Sequence, residues 1–299
     1  MLVLWVILMG VKLKSMTDVC LFNLAVADLL LVFSLPFLAH YARDSWVFGG
    51  VVCFLVLGVY HVGFYGGIFF IVLMSFDRYL AIVHAVFAMR VRTKTTGILA
   101  SLGVWVASVA VSFPELRYLG IIEHEGKTLC SAYPNGGDHN DMKVIGLFKM
   151  NMLGLLVPLA IVGYCYTMVL RRLLTVRSSR KQAIRLVAVV MVVFFCCWTP
   201  YNIAAFLKAL ELKKVLDANC EMSKSIQLML QATEVIAYSH SCLNPFLYVF
   251  VGRKFKNHLT NLLHRTPFSK LKLFKSYMIQ TAVSGQSQIS SVDEQFTNL

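Results

Sequence analysis

Residues 51–82 read VVCFLVLGVYHVGFYGGIFFIVLMSFDRYLAI, and the charged residues in this run are Asp77 and Arg78, close to its end. A helix of about 20 apolar residues is long enough to cross the hydrocarbon core of a bilayer. The 25 residues from Cys53 to Arg78 would extend about 37 Å at the helical rise of 1.5 Å per residue. The run therefore predicts a transmembrane helix with Cys53 at one membrane surface and Arg78 at the other.

Comparable apolar runs recur along the chain. We place them at residues 17–41, 96–114, 143–170, 186–210 and 225–250, with a shorter run at residues 1–11. Of the 299 residues, 14% are charged, whereas soluble domains carry about 25%. An ordinary soluble fold is thereby excluded. We expect an all-α membrane protein, a seven-transmembrane helix bundle with a truncated first helix.

We expect three regions along the chain. Residues 1–250 would form the seven-transmembrane domain, and residues 266–299 a disordered cytoplasmic tail. Between them, residues 251–265 place apolar side chains opposite basic ones, which predicts a short amphipathic helix on the inner membrane surface.

The charge distribution predicts the orientation of the bundle. When Lys and Arg are assigned to alternate sides of the spans, one side carries 19, the other carries 8, and Lys149 lies within a span. The positive-inside rule makes the basic side cytoplasmic, and attraction to anionic lipids accounts for this excess without nucleic acid. The outer side carries ten acids: Asp44, Glu115, Glu123, Glu125, Asp138, Asp141, Glu211, Asp217, Glu221 and Glu234. That mildly acidic face favours a cationic ligand.

Several residues within the spans need a physical reason. Asp28 lies in the middle of its span, where a carboxylate requires hydrogen bonds, a partner charge or a hydrated cavity. Four prolines lie within spans, where each frees a backbone carbonyl and kinks its helix: Pro36, Pro158, Pro200 and Pro245. Four kinks indicate helices that move.

The cysteines and histidines restrict the covalent chemistry. Cys53, Cys130 and Cys220 lie at the outer ends of the spans, so they are the disulfide candidates. His40, His61 and His240 lack metal-ligand spacing, and no nucleophile–base pair is apparent. We assign no metal site, no catalytic residue and no enzyme activity.

Six landmarks on successive spans resemble those of the rhodopsin-like G-protein-coupled receptors. They are Asp28 in LAVADLL, Cys53, DRYLAIVHA from Asp77, Pro158, CWTP from Cys197 and NPFLY from Asn244. The segments KSMTDV, FSLPF, DRYLAIVHAVFA, CWTPYN, QATE and FVGRKFKNHL are similar to those of the CC chemokine receptors. SMTDV, SLPF, WVFG and KMNMLGLLVP look most like the type 4 and type 8 group.

The resemblance implies roles for residues of the inner half. Arg78 would be the switch arginine, held by Asp77 at rest by a latch worth about 1 kcal/mol, which is easily released. Arg78 standing alone could instead reach towards lipid phosphates. The other residues implied in G-protein coupling and activation are Tyr79, Tyr166, Trp198, Pro200, Asn244, Pro245 and Tyr248. Asp28 and Asn244 would line a polar cavity that binds an allosteric sodium ion, or a hydrogen-bond network without an ion.

The resemblance also implies an outer ligand site and a bridge between Cys53 and Cys130. Glu234 precedes Pro245 by 11 residues, or about 16 Å towards the outside, where its carboxylate would attract the cationic N-terminus of a chemokine. The residues implied in ligand binding are Tyr41, Tyr60, His61, Phe64, Tyr201, Gln231 and Glu234. For Tyr60, His61 and Phe64, ordinary helix packing is the alternative.

The expected protein is a plasma-membrane CC chemokine receptor with a cytoplasmic C-terminus. It would respond to a basic CC chemokine through an inhibitory heterotrimeric G protein, and so drive calcium mobilisation and leukocyte chemotaxis. Tail serines such as Ser290 and Ser291 would recruit receptor kinases and arrestin. Relative to the resemblance, we expect that the chain lacks the start of its first helix and the extracellular tail.

The alternatives are a scavenging receptor of the same fold and, from another class, a transporter or light-driven pump. A scavenging receptor of the same fold would bind chemokine without signalling, but such receptors often lose the motif that Asp77, Arg78 and Tyr79 keep intact here. A retinal pump would need a lysine within residues 225–250, which contain none. A transporter should show two repeat halves with paired broken helices, and no such pattern is apparent.

Overall fold

The computed structural model describes residues 13, 15–124, 126–131, 138–175, 181–216 and 219–251. The helices are α1 (Met16–Arg43), α2 (Gly49–Val83), α3 (Ala85–Val91), α4 (Lys94–Arg117), α5 (Asp138–Asn151), α6 (Val157–Thr175), α7 (Lys181–Leu212) and α8 (Cys220–Val251). One π-helical turn, Met152–Leu156, joins α5 to α6. Two antiparallel strands, β1 (Gly120–His124) and β2 (Lys127–Ser131), follow α4.

Five helical stretches among the described residues are long and apolar enough to cross a membrane. They are Met16–Arg43, Gly49–Val83, Lys94–Arg117, Asp141–Arg172 and Ala188–Leu212. The 32-residue α8 is as long as these, but it is more polar because Glu234, Tyr238, His240 and Ser241 lie along it. Its inner residues His240 and Ser241 are buried. Polar groups that face the interior of a bundle in this way are typical of functional helices in membranes.

The helix α4 has its polar side chains inside and its apolar side chains outside. Ser101, Ser108 and Ser112 are buried, and each hydroxyl donates to the carbonyl four residues earlier, so none is left unsatisfied. In contrast, Leu99 and Val106 are exposed, with Val106 at 70%. Small polar residues at helix contacts and apolar residues facing outward are the pattern expected in lipid. The chain is therefore embedded in a membrane.

Side-chain caps set the starts of two helices. Ser15 and Asp18 form a capping box at α1, in which each side chain accepts a hydrogen bond from the backbone N–H of the other. Thr93 caps α4 by accepting from the Thr96 N–H at 3.1 Å. Both caps lie near Asp77 of α2, because Thr17 in the first turn of α1 and Arg92 just before α4 both donate to its carboxylate.

The predicted architecture is confirmed, with two corrections at the level of elements. The predicted span 96–114 continues through Pro114 to Arg117, so Glu115 belongs to a helix and not to an outer loop. The hairpin β1–β2 adds a small sheet to a fold that we expected to be entirely helical. The chain can turn back on itself there without forming a helix, because the two paired strands satisfy each other's backbone N–H and C=O groups. Residues 1–11, most of 251–265 and residues 266–299 lie outside the described part.

The helices α1 and α2 approach each other closely at a glycine. A Cβ atom added at Gly63 would lie 2.9 Å from the Ala27 carbonyl oxygen and 3.1 Å from the Leu31 nitrogen. Only glycine allows the two backbones to come this near. This contact packs residues 27–31 of α1 against the middle of α2.

Candidate functional site

The outer half of the bundle holds a cluster of tyrosines around one carboxylate. The Tyr238 hydroxyl donates to Glu234, one helical turn earlier on α8, and lies 3.3 Å from the Tyr60 hydroxyl oxygen. Tyr201 on α7 lies next to both Tyr60 and Glu234. The structure thus brings together three residues predicted for the ligand site and adds Tyr238. Gln231, one turn outward from Glu234, is exposed.

Beneath this cluster, Trp198 forms an aromatic floor. Its ring centroid lies 4.6 Å from that of Phe64 and 6.0 Å from that of Tyr201. Its indole N–H donates to Nδ1 of His240 at 3.2 Å, and the ring is 1% exposed. Because Pro200 lies two residues further along α7, a bend there would move Trp198 against both Phe64 and His240. Trp198 therefore links the outer pocket to the centre of the bundle.

Asp28 lies directly below Trp198, next to His240. Its Oδ1 accepts from the Ser241 hydroxyl at 3.2 Å and lies 3.5 Å from His240 Nε2. Carboxylate and hydroxyl oxygens are the donors that a hard cation prefers. The described residues therefore fit a sodium ion, and the alternative is a hydrogen-bond network of Asp28 with Ser241 and no ion. The side chain of the second predicted ligand, Asn244, lies outside the described part.

His61 faces a different group of residues from Glu234. Its Nδ1 lies 2.8 Å from the Leu57 carbonyl oxygen, and its ring meets Tyr60 edge to face with a centroid distance of 5.2 Å. His61 also interacts electrostatically with Glu115 and Lys149. The structure thus places His61 at the side wall of the cluster, between the tyrosines and an ion pair.

Tyr41 belongs to a second, more external cluster around the disulfide. Cys53 and Cys130 are joined, as predicted, with their Cα atoms 5.9 Å apart. Tyr41 meets the buried Trp46 edge to face at 5.5 Å. The Trp46 backbone N–H donates to the Thr128 carbonyl at 2.7 Å, so the α1–α2 connection is attached to β2. These contacts hold the hairpin over the outer end of α2.

At the inner end, Asp77 has two arginines as partners. Arg92 donates to its carboxylate through Nε at 2.6 Å and through a terminal nitrogen at 3.1 Å. Arg78 lies 3.2 Å away, and the Thr17 hydroxyl donates to Asp77 at 2.8 Å. The Asp77 side chain is 0% exposed. Our prediction of a latch at the membrane surface was wrong in setting, because the Asp77 side chain is buried and Arg92 is a second cation bound to it.

The other predicted signalling residues surround this cluster or lie outside the described side chains. The Tyr166 hydroxyl is buried close to Arg78 and makes no hydrogen bond with the described residues. The Tyr79 hydroxyl lies 3.0 Å from His84 Nε2, away from Asp77. Pro200 lies within α7. The side chains of Asn244, Pro245 and Tyr248 are not among those described, so their roles stay predictions.

Sequence reasoning missed several residues that the structure brings into these sites. Tyr238 could have been found, because it follows Glu234 by four residues and therefore shares its helix face. The positions of Thr17, Arg92, Trp46 and His240 depend on which helices meet, and no local pattern signals this. The pairing of Glu115 with Lys149 was missed for the same reason.

Comparison with known proteins agrees with this arrangement. Residues 1–248 match the family model of the 7 transmembrane receptor (rhodopsin family). The chain is 43% identical to the C-C chemokine receptor type 3 of Cavia porcellus over 282 residues, which are 93% of this chain and 78% of the relative.

Two human relatives are similar to the same degree. The C-C chemokine receptor type 8 of Homo sapiens is 42% identical over 266 residues, covering 89% of this chain and 74% of the relative. The C-C chemokine receptor type 4 of Homo sapiens is 44% identical over 252 residues, which are 84% of this chain and 69% of the relative. These identities do not separate types 4 and 8 from type 3. The chain belongs to the rhodopsin family of seven-transmembrane receptors and, within it, to the CC chemokine receptors.

Proposed function

We propose that this chemokine receptor binds the cationic N-terminus of a basic CC chemokine at Glu234. The observation that carries the proposal is the position of this carboxylate among Tyr60, Tyr201 and Tyr238. Aromatic faces add about 0.5–2 kcal/mol to the binding of a nearby cation. Partial exclusion of water strengthens the charge interaction itself.

The corrected charge distribution supports Glu234, and not a diffuse acidic surface, as the contact for the cationic ligand. Glu115, which we counted among the outer acids, is buried and paired with Lys149. Glu211 at the end of α7 accepts from Lys208 at 3.0 Å and from Ser223. Because these two carboxylates already have partners, they are poorer sites for a ligand cation. Glu234 has a tyrosine partner and no cation within ion-pair distance among the described residues.

We further propose that the bound chemokine activates an inhibitory heterotrimeric G protein, with calcium mobilisation and leukocyte chemotaxis as the outcome. The buried Tyr166 hydroxyl supports this step, since an unsatisfied buried hydroxyl costs about 1–3 kcal/mol that an inward rotation would recover. The π-helical turn before Pro158 and the proline within α7 supply places where helices bend. Receptor kinases and arrestin would act on the C-terminal tail, in the cytoplasm below the plasma membrane.

The proposal is tested in cells that lack other chemokine receptors. The 299-residue chain is expressed, its surface level is measured, and purified CC chemokines are applied one at a time. We expect a calcium response and a fall in cyclic AMP that are blocked by pertussis toxin. Chemokine binding without either response would identify a scavenging receptor and would contradict the signalling proposal.

The ligand contact is tested by Glu234→Gln, which removes the charge and keeps the shape. We expect chemokine potency to fall about tenfold or more, the scale of one lost charge interaction. Glu221→Gln is the matched control, because Glu221 is exposed in the first turn of the same helix. Equal potency of the parent chain and the Glu234→Gln variant at equal surface level would reject the contact.

A further inference from the structure

The carboxylate of Asp77 is held more firmly by Arg92 than by its neighbour Arg78. Arg92 forms two bonds to it, at 2.6 and 3.1 Å, one to each carboxylate oxygen. Arg78 forms one contact, at 3.2 Å. Two parallel N–H···O bonds from one guanidinium are the strong arrangement for an arginine and a carboxylate. Arg92 is thus the principal counter-ion of Asp77.

Helix ends on both sides fix the position of Arg92. It is the C-cap of α3, where its backbone N–H donates to the Ala88 carbonyl at 2.9 Å. The next residue, Thr93, is the N-cap of α4. The side chain therefore leaves from a backbone that two helices hold in place. It is 26% exposed, whereas Asp77 is fully buried, so Arg92 reaches inward from the cytoplasmic edge of the bundle.

The two guanidinium groups share one further acceptor. Arg78 donates to the Thr17 hydroxyl oxygen, and Arg92 donates to the same oxygen at 3.3 Å. The Thr17 hydroxyl in turn donates to Asp77. Because the two guanidinium groups are both positively charged and contact the same oxygen atom, they repel each other. Arg92 therefore weakens the hold of Asp77 on Arg78 in two ways, by taking the carboxylate and by repelling the second cation.

We propose that Arg92 is a positioning residue that enables Arg78 to leave Asp77 when the receptor is activated. A buried carboxylate that loses its only cation is strongly destabilised. With Arg92 in place, Asp77 keeps two hydrogen bonds to a cation after Arg78 has left. Without Arg92, departure of Arg78 would leave Asp77 with the Thr17 hydroxyl as its partner among the described residues. This inference rests on the proposed coupling to a G protein.

The test measures nucleotide exchange by a purified inhibitory heterotrimer. The full chain is placed in bilayer nanodiscs with the CC chemokine that gives the largest response in the cell assay. We expect Arg92→Gln to lower stimulated exchange about fivefold or more, within the usual range of a coupling between sites. Arg92→Lys should recover part of the loss, because it restores the charge without the two-bond geometry.

The decisive comparison uses the Asp77→Asn background. A neutral amide has no need of a counter-ion, so Arg92→Gln should then have little effect on exchange. A role in folding alone would give the same loss in both backgrounds, and that result would overturn the proposal. Arg90→Gln is the control, since Arg90 is exposed two residues earlier, and chemokine binding confirms that each variant is folded.

Two other results would also overturn it. Exchange equal to that of the parent would show that Arg92 is dispensable, and raised exchange would show that Arg92 holds the resting state. If the parent chain itself drives no exchange, the proposed function fails and this inference fails with it. A parent that responds, with an Arg92→Gln variant that responds equally, rejects this inference alone.

Discussion

Within the membrane, Lys149 and Glu115 neutralise each other, and this pair shows how the bundle accommodates charge. Lys149 donates to Glu115 and also to the Val111 carbonyl at 2.6 Å, so its ammonium is well satisfied. It lies 5.4 Å from the centre of the Tyr65 ring. A buried ion pair with additional hydrogen bonds avoids most of the desolvation cost. The pair connects α4 to α5 beside α2, so the Glu115 carboxylate already has a cation as its partner.

The polar site at Asp28 gives a prediction at the scale of single residues. If a sodium ion binds Asp28 and Ser241, it binds the folded receptor alone and must stabilise it by mass action. We expect about 0.15 M sodium chloride to raise the melting temperature above that in the same concentration of N-methylglucamine chloride. The measurement is a thermal unfolding curve of the purified receptor in each salt.

Asp28→Asn is the variant that decides the sodium prediction. It removes the carboxylate charge, so the difference between the two salts should disappear. Equal melting temperatures of the unaltered receptor in both salts would instead favour the hydrogen-bond network without an ion, in which the Ser241 hydroxyl donates to Asp28 at 3.2 Å.

Residues that act within one helix could be predicted from the sequence, and their partners on other helices could not. The order Asp77, Arg78, Tyr79 and the spacing of Glu234 from Pro245 are properties of single segments. Arg92 is separated from Asp77 by 15 residues and a helix end, and Thr17 by 60 residues. Whether Arg92 and Thr17 contact Asp77 depends on how the helices pack, and a local sequence pattern does not predict this packing.

At the scale of elements, small residues set the distances between helices. Gly63 allows α1 to contact α2, and Gly97 allows the start of α1 to approach α4, where an added Cβ would lie 3.0 Å from the Met16 Cα. Gly103 lies on α4 as well, but an added Cβ would meet no atom within 4 Å. The two kinds of glycine cannot be told apart in the sequence, since both lie in apolar helices.

This difference between glycines predicts opposite effects of the same substitution. Gly63→Ala should lower the melting temperature of the receptor, because the new methyl group would lie 2.9 Å from the Ala27 carbonyl oxygen and force α1 away. We expect a cost of about 1–3 kcal/mol, the usual range for overpacking. Gly103→Ala should be neutral or slightly stabilising, since alanine is the better helix former. Equal melting temperatures for the two variants would contradict the close contact of α1 and α2.

The element boundaries show where local reasoning fails. The predicted span 17–41 agrees with Met16–Arg43 to within two residues, because the capping box at Ser15 is a local feature. The helix α4 ends three residues beyond the predicted span 96–114, at Arg117, and Pro114 lies inside it. Proline kinks a helix in a membrane without ending it when neighbouring groups satisfy the freed carbonyl. Close to Pro114, Lys149 donates to the Val111 carbonyl, which is next to the Ala110 carbonyl that the proline leaves without its helical partner.

At the scale of the whole molecule, the outer and inner faces are built differently. The inner cluster of Asp77, Arg78, Arg92 and Thr17 is held by charges and hydrogen bonds that can exchange partners. The outer cluster is held by the Cys53–Cys130 bridge and by aromatic packing around Trp46. This asymmetry is consistent with the proposed function, in which the inner end rearranges while the outer surface keeps its shape. Composition correctly predicted the membrane, the orientation stays a prediction, and the hairpin was found only in the structure.

The asymmetry predicts that the disulfide serves ligand binding more than the stability of the bundle. Cys130→Ser would free β1 and β2 from α2, leaving the Trp46–Thr128 hydrogen bond as a remaining tie. A chemokine would then have to order the hairpin on binding, at about 0.5–1.5 kcal/mol for each side chain that it immobilises. We expect the affinity to fall about tenfold, as two such side chains require, while helix content measured by circular dichroism stays unchanged. Cys220→Ser is the control, because Cys220 is exposed and free at the start of α8. Chemokine affinity that is the same for the Cys130→Ser variant and the parent would show that the hairpin keeps its position without the bridge, through the Trp46–Thr128 hydrogen bond and the packing around Trp46.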